Sequence, residues 1–124
     1  MTGLDLLEPE EAAALAAAVE SLRADLGDDV RIGLFGSRAR RDHRPESDFD
    51  LLCLMPDGLA VDFEVVDNNV VSAMAEYGGA ANVQYLQESR LEDLYFEHAY
   101  LPNALREWID VTDPCLLVLA ASEV

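Results

Sequence analysis

Residues 30–55 read Val-Arg-Ile-Gly-Leu-Phe-Gly-Ser-Arg-Ala-Arg-Arg-Asp-His-Arg-Pro-Glu-Ser-Asp-Phe-Asp-Leu-Leu-Cys-Leu-Met, two apolar runs with a basic, polar stretch between them. Residues 30–35 predict a short strand running into Gly36-Ser37, and residues 38–41 a helical turn before the loop 43–47. From residue 48 the chain is acidic, then almost wholly apolar to Met55, the pattern of a buried strand with a polar beginning. Five of the eight arginines fall between Arg31 and Arg44, and Asp42 is the only acid in that window. Closing a strand and opening a helical turn, Gly36-Ser37 offers backbone N–H groups and a hydroxyl to an anion. Asp48 and Asp50 alternate along a strand, so both carboxylates project from one face, close enough to share divalent cations. A phosphate cradle beside paired carboxylates is the chemistry of a magnesium–nucleotide site.

Gly36-Ser37, ten intervening residues and Asp48-x-Asp50, set between two hydrophobic strands, resemble the signature of the DNA polymerase beta-type nucleotidyltransferase superfamily, in particular its small members, the minimal nucleotidyltransferases. Gly36-Ser37-Arg38-Ala39-Arg40 and Arg44-Pro45-Glu46-Ser47-Asp48-Phe49-Asp50-Leu51 follow that pattern almost letter for letter, over about residues 30–66. The chain departs from it at Arg41, where the family commonly has Gly. The resemblance implies an α+β nucleotidyltransferase fold, with a small mixed sheet flanked by helices. It also implies that the Gly-Ser pair holds a triphosphate, that the paired aspartates bind two Mg2+ ions, and that a third carboxylate on a following strand completes the site. On that reading Ser37 and Arg38 hold the β and γ phosphates and Arg40 or Arg44 offsets leaving-group charge. The reaction would move a nucleoside monophosphate, AMP from ATP, to an acceptor hydroxyl.

The third carboxylate depends on the turn at Pro56-Asp57-Gly58. A three-residue hairpin loop there returns the chain as a strand over residues 60–66, with Asp50 opposite Glu64 and Leu52 opposite Asp62. Both acids then share the face of Asp48 and Asp50. Glu64 is the expected third metal ligand or general base, with Asp62 second, whereas a two-residue loop would leave only Asp67 on that face.

Outside this region, acids and a proline at Glu8-Pro9-Glu10-Glu11, then Leu15, Val19, Leu22 and Leu26, predict an amphipathic helix ending at Gly27. Residues 67–79 have helical spacing, 82–87 strand character, 89–100 helical spacing, and Pro102 begins a last short helix through Trp108. His98 is expected as a packed core residue, Tyr95, Phe96, Tyr100 and Trp108 in the core or an interface, His43 at the surface, and Cys53 as buried filling. The 124 residues suit one nucleotidyltransferase domain, with no length for a second.

The formal net charge is −17, and every basic residue is Arg. Such a field disfavours duplex DNA, long RNA and anionic membranes as partners, and leaves a high-salt habitat or a coding bias as its origin. Acids in place of a basic leader, two cysteines without metal spacing, and no long apolar run predict a reduced cytoplasmic protein. The apolar stretch 115–121 points to an acceptor site completed by another polypeptide, in a homodimer or a docked partner. By resemblance that partner is a small helical HEPN-type toxin, adenylylated by this chain as antitoxin. The competing class is a catalytically weak or inactive nucleotidyltransferase-fold binding module.

Overall fold

The computed structural model describes residues 7–121, and side chains within 7–119; the first six of the opening residues, and the side chains that end the apolar stretch 115–121, lie outside the described residues. The first helix, α1 (Pro9–Leu26), starts as its sequence directs. Glu8 and Glu11 form a reciprocal capping box, Pro9 takes the first turn, and Gly27 at φ 95° ends the helix. Leu15, Val19, Leu22 and Leu26 are all buried, the spacing of an apolar stripe laid on a sheet.

That sheet has four strands in the order β3-β2-β1-β4: β1 (Arg31–Phe35), β2 (Phe49–Met55), β3 (Ala81–Gln87) and β4 (Ile109–Asp110). The β1–β2 and β1–β4 pairs are antiparallel and the β2–β3 pair is parallel. β1 leads into the single-turn helix α2 (Ser37–Arg40), and β2 leads into α3 (Phe63–Met74), which crosses back to β3. After β3 come the short α4 (Leu91–Leu94), then α5 (Tyr100–Glu107), β4 and α6 (Pro114–Ala121).

Alternation along β2 feeds two cores. Phe49, Leu51, Cys53 and Met55 join the stripe of α1 with Val66, Val70 and Met74 of α3 and Leu117 of α6. Leu52 and Leu54 face the other way, onto Leu94, Leu101 and Ala104. Cys53 is the expected buried filling, and burial pushes its thiol up to about 12. No helix among the described residues is long and apolar enough to cross a membrane.

The expected hairpin does not form. Pro56-Asp57-Gly58 does turn the chain, with Gly58 at φ 79°, but residues 63–66 begin α3 instead of a returning strand. The alternation Val61, Phe63, Val65 suggests a strand face, yet Val65 is half exposed, and the buried set is Val66, Val70 and Met74, at helical spacing. The Asp62 side chain accepts the Glu64 N–H at 3.0 Å, a helix N-cap, and β3 occupies the free edge of β2. A second departure is His98, expected in the core and found exposed, as are residues 96–99 between α4 and α5. His43, expected at the surface, is tucked in, with Nε2 3.5 Å from a Glu11 carboxylate oxygen.

Candidate active site

Every element that carries an expected site residue, apart from α3, meets at one end of the sheet: the exit of β1 and the beginnings of β2, β3 and β4. Phe35 pairs with Asp50, and Asp50 in turn with Asn82 of β3. Gly36, at φ 78°, follows Phe35 directly and opens α2. Only glycine fits here, for two reasons. The backbone is in a region L side chains avoid, and a Cβ would overlap the Asp50 carboxylate oxygen Oδ2. The backbone of the expected phosphate cradle thus lies against one of the two carboxylates. Asp48 is exposed just ahead of β2, and Asp50 is half-buried within it.

Asp50 is held above the ordinary carboxylate range. Burial is the largest cause; repulsion from Asp48 and Glu107 adds to it, while a hydrogen bond from Asn82 and the charge of Arg40 oppose it. A carboxylate in this state gains from an added cation.

The arginines separate into distinct roles. Arg38, expected on the phosphates, turns inward and is 7% exposed. Its Nη1 donates to Glu11 at 2.8 Å, Nε to the Ser47 carbonyl at 3.0 Å and Nη2 to the Pro45 carbonyl at 3.2 Å, and its guanidinium lies 4.2 Å from the Phe49 ring centroid. Arg38 therefore grips the chain on both sides of Asp48 and does not face the cradle. Arg41 also turns to Glu11, donating from Nη2 at 2.6 Å, and it sits at φ 67°, the one positive-φ residue besides glycines among those described. Where the resembled family has Gly, the backbone here is left-handed, and the ion pair to Glu11 offsets the strain of a side chain. Arg40 stays at the cradle, paired with Glu107 and Asp42, and Arg44 is exposed on the loop. Ser37 begins α2 beside Gly36.

The third carboxylate is not where the hairpin reading puts it. Asp62 caps α3 and Glu64 lies in its first turn, beyond the far end of β2 from Asp50, so neither stands opposite Asp50. The strands that do lie beside Asp50 offer Phe35 of β1 and Asn82 of β3, an amide. Among the described residues no cluster of three or more His, Cys, Asp or Glu is arranged to hold a metal.

Three contributors escape the sequence reading. Asn82 lies in a strand recognised correctly, but its partner depends on a crossover rather than on a hairpin. Glu11 looks like one more surface acid of a helix start, although a capping acid so close to an arginine-rich turn is a signal of sorts. Glu107 is distant in sequence from the motif, and only the β1–β4 pairing brings it back. On the other side of Asp48, a cleft of about 390 Å³ runs past Ser47, Phe49 and Tyr77 toward α1.

A sequence model of the nucleotidyltransferase domain family matches residues 15–107, which include all of β1 to β3 and the whole Gly-Ser to Asp-x-Asp stretch. Searches among curated proteins and among solved structures returned no match.

Proposed function

The chain belongs to the nucleotidyltransferase domain family, and from that premise we propose that it is a metal-dependent enzyme that moves AMP from ATP to an acceptor hydroxyl and releases pyrophosphate. Asp48 and Asp50 would hold magnesium. Gly36, Ser37 and Arg40 would face the phosphates, with Arg44 at the edge of the same loop. The observation that carries this reading is the contact between Gly36 and Asp50, which leaves no spacer between the proposed anion cradle and a half-buried carboxylate, with the exposed Asp48 two residues away.

The donor set fits the metal. Magnesium is commonly held by one or two carboxylates, with waters and substrate phosphates completing the shell, and Asp50 is already biased toward accepting a cation by burial and by Asp48. When bound, the metal would neutralise phosphate charge and acidify the acceptor hydroxyl. The chain's own part is positional. Arg38 and Glu11 fix the backbone around Asp48, Gly36 permits close approach of the phosphates, and Arg40 brings a guanidinium whose charge opposes that of the leaving pyrophosphate. The cleft beyond Asp48 would admit the nucleoside or the acceptor.

For the acceptor, a hydroxyl on a partner protein is favoured by the apolar surface of the last helices. Leu116 and Leu119 on α6 are half or more exposed. A HEPN-type toxin in that place would make this chain an antitoxin. Pyrophosphate release with magnesium and ATP, lost in folded Asp48→Asn and Asp50→Asn variants, tests the mechanism; equal rates in wild type and the double variant would sink it.

One observation favours a second reading, a nucleotidyltransferase fold with weak catalysis that acts by binding. The resemblance implies a third carboxylate on a following strand, and β3 sets an amide, Asn82, opposite Asp50. Calorimetry with magnesium–ATP separates the readings, since absence of binding at millimolar nucleotide leaves only the module.

A further inference from the structure

A carboxylate already sits in the cradle. Glu107 Oε1 accepts the Gly36 N–H at 3.1 Å, and Arg40 Nη1 donates to Glu107 Oε2 at 2.9 Å and to Oε1 at 3.2 Å. The placement is built into the fold: Leu34 pairs with Ile109, and continuing that antiparallel register sets residue 107 opposite residue 36. The Glu107 side chain is only 13% exposed, and its charge acts on Asp50 across the site. An acid placed here, beside two aspartates, is unfavourable unless its cationic and amide partners offset the repulsion. A backbone N–H and a guanidinium converging on one carboxylate are also the donors that would meet a phosphate oxygen.

Resting on the nucleotidyltransferase reading, we propose that Glu107 is an intramolecular competitor for the triphosphate, holding Gly36 and Arg40 until magnesium–nucleotide displaces it. The single Gly36 N–H serves one strong acceptor at a time. A triphosphate seated on it would also bring its own negative charge against Glu107, so the two anions exclude each other. Displacement moves the end of α5, and the neighbouring residue makes that visible. Trp108, the only tryptophan, lies over Gly33 so closely that a Cβ there would overlap its ring, with the Arg31 guanidinium 5.9 Å from the ring centroid.

The test uses the full chain, with Glu107→Gln, which keeps the shape, and Glu107→Ala, which removes the competing group. Magnesium–ATP is titrated by calorimetry and by Trp108 fluorescence. Replacing a charge-assisted hydrogen bond that must break on binding should tighten the nucleotide by about tenfold or more in Glu107→Ala, with Glu107→Gln between it and wild type. Wild-type fluorescence should change on saturation. Unchanged or weaker binding in both variants, with wild type binding measurably, overturns the competitor role and leaves the nucleotidyltransferase reading standing. No binding by any of the three proteins overturns both.

Discussion

Asn82 stands directly opposite Asp50 in the parallel β2–β3 ladder, and its hydrogen bond works against the burial that raises the Asp50 carboxyl. An amide at this place eases the burial of the Asp50 charge without a cation, where a carboxylate would instead offer a cation a further oxygen ligand. Asn82→Asp should therefore split two properties. Stability without divalent ions should fall by about 1 kcal/mol from like charges across the ladder, while magnesium affinity rises about tenfold or more with the added carboxylate. Thermal melts with and without magnesium read both; a variant that melts at the same temperature and gains nothing from magnesium would show that Asn82 is not at a metal position.

Asp50 itself is a stability liability in the metal-free protein. Its carboxyl is raised in the folded state, so the penalty is absent when it is protonated in both states and grows as the pH rises above its ordinary 3.8. Asp50→Asn should therefore raise the metal-free melting midpoint at neutral pH while abolishing transfer. A lower midpoint would mean that the carboxylate is structurally required.

The strand–turn–strand stretch was legible because its signals are local: Gly36 at a positive φ, an arginine turn, and an Asp-x-Asp that alternation puts on one face. Periodicity also located β3. What misled was the segment 60–66, where alternating Val61, Phe63 and Val65 compete with Val66, Val70 and Met74. An Asp N-cap and burial on α1 decide for the helix, and a parallel crossover replaces the hairpin on which Glu64 depended. Arg38 misled for a different reason. Composition shows that arginines cluster, but not that a buried Glu11 from another helix draws two of them away from the proposed anion site.

Arg41 can be separated into strain and contact. Its left-handed backbone costs a side chain about 1 kcal/mol relative to glycine, and its guanidinium recovers this through Glu11 and the Arg38 carbonyl. Arg41→Ala keeps the strain and loses the contacts, whereas Arg41→Gly loses both, so the glycine variant should be more stable than the alanine variant by about 1 kcal/mol in chemical denaturation. The opposite order would mean that the positive φ carries no cost here.

The remaining test concerns how α1 reaches the site. Glu11 accepts from Arg38, Arg41 and the Glu8 amide. Burial pushes its carboxyl up, but the hydrogen bonds from Arg41, the Glu8 amide and Arg38 outweigh it and bring the group from 4.5 down to about 2. The unfolded chain consequently takes up a proton at higher pH than the folded one. The stabilisation is complete above about pH 4.5 and is lost as the pH falls toward 2. Glu11→Gln leaves the Arg38 charge buried without its carboxylate and should cost about 3 kcal/mol at neutral pH. It should also flatten the acid limb of the stability curve between those two pH values. Because Arg38 bonds the carbonyls of Pro45 and Ser47, amide exchange over residues 44–48 should quicken in the variant, and nucleotide binding should weaken as Asp48 loses its fixed place. An unchanged acid limb, or a loop as protected as in wild type, would detach the helix from the site and leave Glu11 as a capping residue alone.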